Sequence, residues 1–210
     1  MSGGTRSPLQ RPPEERRAAL SHHLLEVLEP VLASGMPYAD LSVARILALG
    51  GISRKAFYAY FADKGDLLQA MAAHVIEEIH AAGSAWWALA DDADADAVRE
   101  ALRPAVLAYL RHRTVMRAVA EASAYDARVR TTYATLMDGA IDELAAHLAR
   151  QQAAGRARPT SDPRRTATWL IWMLERGLYQ AVSASPPVDA EPWLETLAEI
   201  AWRTLYEGHR

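Results

Sequence analysis

Two cationic side chains and a phenol, Arg54, Lys55 and Tyr58, lie within one short segment whose apolar residues have helical spacing. Arginine can donate two hydrogen bonds to guanine O6 and N7 in the major groove, while ammonium and hydroxyl groups hold phosphates. Phe57 and Phe61 lie one helical turn apart, and we expect them to anchor the opposite face of this helix in the core. The pattern therefore predicts a helix that presents its cations to DNA.

The residues before this segment predict the element that positions it. Residues 42–49 form a short amphipathic segment that Ser42 can cap, and Gly50 and Gly51 supply a tight turn. Ser53 can cap the next helix, which we interpret as the recognition helix, residues 54–60. Together these features predict a helix-turn-helix.

Lys64 adds a further indication of DNA contact. It follows the predicted cap Asp63 in the first turn of a longer helix. A positive charge there opposes the helix dipole by roughly a few tenths of a kcal/mol, so its position needs another explanation. We interpret Lys64 as a phosphate contact.

The whole chain has apolar residues at spacings of three and four, and no segment alternates with period two. This predicts an all-α fold, with a helix-turn-helix domain followed by a helical-bundle domain of about nine helices in total. We expect a disordered tail at 1–13, a DNA-binding domain at 14–66 and a ligand-binding and dimerisation domain at 67–210. Pro30 lies within the first predicted helix, where we expect a kink or an early end.

Composition excludes several classes of protein. The chain has no cysteine, which excludes thiolate catalysis and Cys-ligated zinc, and it has no apolar run long enough to span a membrane. Residues 1–13 are polar and rich in proline, a pattern that we do not expect of a signal peptide. We therefore expect a cytoplasmic protein that does not contact membranes. The net charge is −3, but the first 64 residues carry +2 and the remainder −5. This asymmetry favours local phosphate contact by the N-terminal part.

The segment at 51–64, GISRKAFYAYFADK, followed by DLL at 66–68, resembles the signature of the TetR family of one-component repressors. The segments MLERGLY at 173–179 and LYEGHR at 205–210 resemble the EthR-like members of that family. The resemblance implies a dimeric repressor that binds a pseudo-palindromic double-stranded DNA operator and is released by a small hydrophobic effector. The chain departs from the family pattern at Pro30, Ala59 and Gly65.

The resemblance also implies site residues, in three groups. The DNA-contacting positions are Ser42, Ser53, Arg54, Lys55, Tyr58, Tyr60 and Lys64. The positions that match the family's ligand pocket are Val98, Ala105, Tyr109, Met137, Ala140, Leu144, Ile171, Leu174 and Tyr179. The homodimer surface is predicted on stripes of the last two helices: Trp172, Arg176, Gln180, Trp193, Leu197, Ile200, Ala201, Thr204 and Leu205.

The predicted pocket positions are almost all apolar, which indicates a ligand with few polar groups. Residues 169–179 are apolar on more than one face, so this helix is expected to meet both a partner subunit and a cavity. We interpret Glu175 and Arg176 as an ion pair that fixes helix packing, with ligand sensing as the alternative.

Two other functions remain open at this point. An enzyme with a metal site in a helical bundle would use two Glu-x-x-His motifs, and this chain has one, which ends at His80. A helical ligand sensor that has lost DNA binding would be expected to lose Arg54, Lys55, Tyr58 and Lys64, and all four are present. We expect no cofactor and no bound metal.

Overall fold

The computed structural model describes residues 12–89, 93–157, 162–183 and 189–206. Within these ranges the protein is all-helical, with ten α-helices and one 3-10 helix and no strand. No helix in these ranges is both long and apolar enough to cross a bilayer.

The first part of the chain is a three-helix unit. Its elements are α1 (Pro13–Ala33), the 3-10 helix Tyr38–Asp40, α2 (Val43–Gly50) and α3 (Arg54–Tyr58). α2 packs against α1 and contacts α3, as the sequence predicted. This is the arrangement that a helix-turn-helix requires.

The remaining seven helices form a bundle. They are α4 (Lys64–Ala82), α5 (Ser84–Trp87), α6 (Ala95–Arg111), α7 (Arg113–Ala122), α8 (Ala127–Ala153), α9 (Pro163–Ser183) and α10 (Ala190–Leu205). α8 packs along α9, and α6 packs along α10. α4 contacts α1 as well as α6, α7 and α8, so it joins the N-terminal unit to the bundle.

One cluster of buried apolar side chains runs through both parts of the chain. It includes Leu24 and Leu28 of α1, Phe57 of α3, Met71 of α4 and Leu144 of α8. Because interiors are closely packed, a displacement of α4 is transmitted to the N-terminal unit. The proposed boundary at residue 66 therefore falls inside a shared core, at the first turn of α4.

Two local predictions differ from the structure. α1 continues through Pro30 to Ala33, so it does not end early there; Pro30 lies in the last turn, where it removes a single N–H from the helix. Residues 90–97 are rich in Ala and Asp, a composition that predicts a loop, but α6 already begins at Ala95 with Asp94 as its cap. The sequence patterns also gave no separate prediction for the short helix α5 or for α7.

Candidate nucleic-acid interface and internal cavity

Two serines fix the start of the helices in the helix-turn-helix. The Ser42 hydroxyl accepts a hydrogen bond from Arg45 N at 3.2 Å, and the Ser53 hydroxyl accepts one from Ala56 N at 3.1 Å. Each bond satisfies a backbone donor that would otherwise lack a partner in the first helical turn. Both serines are exposed, so their hydroxyl oxygens also lie on the surface predicted to meet DNA.

The turn between α2 and α3 depends on two glycines. Gly51 has φ +61°, in the left-handed region where other residues are strained. A Cβ at Gly50 would lie 2.5 Å from Leu24 Cδ2, so the turn packs directly on α1. The two glycines thus allow α2 and α3 to meet α1 closely.

One face of α3 is buried and the other is open to solvent. Phe57 is fully buried and Phe61 is 1% exposed, whereas Tyr58 is 48% exposed and Arg54 and Lys55 lie beside it on the surface. The Arg54 guanidinium carbon lies 6.0 Å from the centre of the Tyr58 ring. α3 therefore presents two cations and a phenol on a rigidly held helix.

The predicted recognition helix is longer than the helix found. α3 ends at Tyr58, and Tyr60 lies after it, half-buried, with its carbonyl accepting a hydrogen bond from Arg17 Nε at 3.1 Å. The Arg17 guanidinium carbon also lies 5.3 Å from the centre of the Phe61 ring. These contacts fix the end of the helix-turn-helix to α1.

Lys64 has partners inside the protein. Its ammonium donates to the Leu41 carbonyl at 3.0 Å and to the carbonyl of Ala39. The Lys64 carbonyl accepts a hydrogen bond from the Tyr38 hydroxyl at 2.6 Å. These bonds join the start of α4 to the 3-10 helix and explain why a cation occupies this position, while its contact with a phosphate stays a prediction.

The start of α4 is also held by the bundle. Asp63 accepts a hydrogen bond from Asp66 N at 2.9 Å, and this backbone bond is the main cause that lowers the Asp63 pKa. Arg128 lies at the start of α8, and its Nη2 atom is 3.0 Å from Asp63 Oδ2. A Cβ at Gly65 would lie 2.8 Å from Asp126 Oδ2 and 3.0 Å from Arg128 Nη2, so the unusual glycine leaves room for this contact.

A cavity of about 410 Å³ lies among α4, α6, α8 and α9. Six of the predicted pocket residues line it: Ala105, Tyr109, Met137, Ala140, Ile171 and Leu174. Most of the remaining wall is apolar, with Leu102, Met116 and Leu178 among its residues. The exposed residues Glu77, Thr135 and Gly139 mark the side on which it opens, between α4 and α8.

Val98, Leu144 and Tyr179 do not line this cavity. Val98 lies two helical turns before Ala105, roughly 10 Å along the axis of α6, and is buried in the core. Leu144 is fully buried one turn beyond Ala140. Tyr179 has its ring 5.0 Å from the Arg176 guanidinium carbon instead.

The contribution of α4 to this wall was not predicted from the sequence. Ala73, Ile76, Ile79 and Gly83 line the cavity, as do Trp86 and Trp87 of α5. The apolar stripe of α4 was visible in the sequence, but the stripe does not reveal which helix it faces. The carboxyl and imidazole groups at the wall are those of Glu77, Glu175 and His80, and His80 Nε2 lies 3.0 Å from Glu143 Oε2.

An exposed apolar face lies on α9 and α10. Trp169 is 76% exposed, and Trp172, Met173, Trp193 and Ile200 are each about two-fifths exposed. Apolar patches of this kind mark association surfaces. The predicted dimer positions Arg176, Gln180 and Thr204 are also exposed, and Leu197 is half-buried.

Two predicted dimer positions do not face outward. Ala201 is 2% exposed and Leu205 is 1% exposed, because this stripe of α10 packs inside the subunit. The described α10 packs mainly on α6, so its inward stripe is already covered. A partner subunit would therefore meet the neighbouring stripe, which carries Trp193 and Ile200.

Comparison with known sequences identifies relatives. The family model described as the C-terminal domain of transcriptional regulator EthR matches residues 98–207. The HTH-type transcriptional regulator EthR of Mycobacterium tuberculosis is 30% identical over 185 residues, which covers 85% of this chain and 84% of that protein. The EthR protein of Mycobacterium bovis matches with the same identity and coverage.

Solved structures share the fold. PfmR, a TetR-family transcriptional regulator from Thermus thermophilus, superposes with a TM-score of 0.66 at 17% identity, over 86% of this chain and 97% of that one. A TetR-family regulator from Pectobacterium atrosepticum gives a TM-score of 0.64 at 21% identity, over 98% of this chain and 100% of that one.

Proposed function

The chain is an EthR-like member of the TetR family of transcriptional regulators, and from that premise we propose that it is a DNA-binding repressor released by a small ligand. In this proposal a homodimer binds a pseudo-palindromic operator through α3 of each subunit. A small hydrophobic molecule in the cavity ends the repression. Its relatives are transcriptional regulators rather than enzymes.

The observation that carries the proposal is the two-sided character of α3. Phe57 and Phe61 hold its back in the core, while Arg54, Lys55 and Tyr58 are exposed together on its front. A helix of this kind fits the major groove, where Arg reads guanine and Lys and Tyr hold phosphates. Helices α2 and α3 with their glycine turn give it the geometry of a recognition helix.

The exposed tryptophans of α9 and α10 support dimerisation. Trp169, Trp172 and Trp193 place large apolar surfaces in water, which a second copy of the chain would cover. A symmetric dimer presents α3 twice. Two such helices about one DNA turn apart, roughly 34 Å, would dock in successive major grooves.

Helix α4 supports a link between ligand and DNA. Ile76 and Ile79 line the cavity, and the N-terminus of the same helix carries the bonds of Asp63 and Lys64 to the rest of the molecule. A ligand that displaces α4 would move this terminus and change the spacing of the two α3 helices. It can do so only by binding the DNA-free form more tightly than the DNA-bound form.

The test is selection of duplexes from a random library, followed by binding measurements on the enriched sequence by fluorescence anisotropy. Arg54→Ala is expected to cost about 1–3 kcal/mol of binding free energy and to relax the preference at one base pair of each half-site. Arg165→Ala, which removes an exposed arginine at the start of α9, is the matched control and should bind like the wild type. Failure to enrich any sequence, or equal losses in both variants, would contradict the proposal.

A further inference from the structure

The carboxyl group of Glu175 lies in the wall of the cavity. Its side chain belongs to the middle of α9, is 4% exposed, and lines the same space as Ile171, Leu174 and Leu178. Buried carboxyl groups in proteins are normally paired, because removing a charge from water without a partner costs several kcal/mol. The groups that surround the Glu175 carboxyl therefore bear on which ligand the cavity would bind.

Glu175 has no cationic partner among the residues that the structure describes. None of the ion pairs within 4.0 Å in those segments includes Glu175, so the ion pair expected with Arg176 is not formed. Adjacent residues of a helix point about 100° apart, and the guanidinium of Arg176 lies beside the Tyr179 ring instead. The side chain of Arg176 is exposed and does not line the cavity, although its charge is near enough to lower the pKa of Tyr109 and of Tyr133 slightly against the larger effect of burial.

The polar neighbours of Glu175 are phenols. Burial is the main cause that raises the pKa of Tyr109 and of Tyr133, and the nearby Glu175 raises both further. The Tyr109 hydroxyl lines the cavity and is buried without a hydrogen-bond partner in the described part of the chain. A phenol can donate a hydrogen bond to a carboxylate, but it brings no positive charge.

The charged groups of the cavity wall as a whole are mainly acidic. Among the described lining residues the acidic groups are Glu77 and Glu175, the one basic group is His80, and neither lysine nor arginine contributes. His80 lies 3.0 Å from a further carboxylate, that of Glu143. The charges around the cavity therefore favour a cation inside it.

We propose that the effector is an amphiphile with a protonated amine, which reaches Glu175 while its hydrocarbon part fills the apolar remainder of the cavity. The amine donates to the Glu175 carboxylate and the Tyr109 hydroxyl oxygen accepts a second N–H, so Glu175 gains a cationic partner and the Tyr109 hydroxyl gains a hydrogen bond. This inference rests on the proposed function, because it assumes that the cavity is the effector site.

The experiment compares three probes that share one alkyl chain: decylamine, 1-decanol and decanoate. Each is titrated into the full-length protein by calorimetry, below the concentration at which it forms micelles. The amine is expected to bind about tenfold or more tightly than the alcohol, which corresponds to one charge-assisted hydrogen bond, and decanoate is expected to bind most weakly. Equal or tighter binding of the alcohol would overturn the amine proposal but leave the cavity as the effector site.

Two isosteric variants test which carboxylate of the cavity recognises the amine. Glu175→Gln keeps the side-chain volume and should reduce the affinity for decylamine to that for 1-decanol. Glu77→Gln removes the exposed carboxylate at the opening and should leave the preference for the amine intact. A preference for decylamine over 1-decanol that survives Glu175→Gln, or that disappears with Glu77→Gln instead, would overturn the role of Glu175. If Glu175→Gln does not fold, the comparison of the three probes on the wild type still decides the ligand class.

Failure of the proposed function would give different results in these experiments. If none of the three probes binds, the cavity is not a site for hydrophobic effectors and both proposals fail. If decylamine binds through Glu175 but does not release the selected duplex, the ligand class stands and the control of DNA binding by the cavity is wrong.

Discussion

Among single residues, the two lysines predicted to contact DNA have different environments. The Lys64 ammonium donates to the backbone carbonyls of Leu41 and Ala39, whereas Lys55 is exposed on the front of α3. Both lysines are predicted to contact DNA phosphates. Their internal contacts predict different consequences when each is removed.

We expect Lys64→Ala to lower the free energy of unfolding by about 1 kcal/mol, because two carbonyls lose a charged donor. Lys55→Ala should leave the free energy of unfolding unchanged, weaken binding to all duplexes and reduce the slope of log affinity against log salt by about one. Urea unfolding and anisotropy titrations at two salt concentrations measure these effects. If Lys64→Ala were as stable as the wild type, the bracing role of its ammonium would be wrong.

At the scale of elements, one buried histidine joins three helical segments. His112, between α6 and α7, has Nδ1 at 2.6 Å from Glu29 of α1 and Nε2 at 3.1 Å from Glu78 of α4. The hydrogen bond to Glu29 is the main cause that raises the His112 pKa above its ordinary value of 6.5. Arg111 lies 2.7 Å from the same Glu78, so this carboxylate keeps a partner when His112 is neutral.

The raised pKa gives a pH dependence with a definite sign. The stabilising contribution of His112 is fully present below pH 6.5 and is lost as the pH rises through its raised pKa. The wild-type free energy of unfolding measured with urea should therefore exceed that of His112→Gln by the largest amount near pH 6. The difference between wild type and variant should shrink at alkaline pH. His22→Gln, an exposed histidine paired with Glu26, is the control and should show little effect. A difference that grew with pH would contradict this account.

The helix-turn-helix could be predicted from sequence because its signals are local. Ser42, Ser53 and Gly51 each act within a few residues of themselves, and the structure has the two caps and the left-handed turn where those residues predicted them. The division between α6 and α7 had no such signal, since the chain changes direction at His112 without a glycine or proline.

The cavity could be predicted only in part. Six of the lining residues on α6, α8 and α9 were predicted from the family resemblance. The lining residues of α4 depend on how the neighbouring helices pack around that helix. That Glu175 has no cationic partner within the described segments could not be predicted from composition. Whether a carboxyl group meets a cation is decided by the direction of each side chain in the folded bundle.

At the scale of the whole molecule, the exposed face of α9 and α10 predicts a dimer. The double variant Trp193→Arg and Ile200→Arg places like charges on both sides of the proposed interface and should sediment as a monomer. Leu107→Arg, on an exposed apolar residue of α6, is the control and should sediment like the wild type. If the double variant stayed dimeric, the interface would have to lie on another face of the subunit.

Two copies of α3 are proposed to bind one duplex together, and hydroxyl-radical footprinting of the selected duplex tests this claim. We expect two equivalent protected blocks on one face of the DNA, related by a two-fold axis and centred roughly 10 base pairs apart. Arg54→Ala should weaken both blocks equally. A single block, two unrelated blocks, or no protection at moderate salt would contradict the claim.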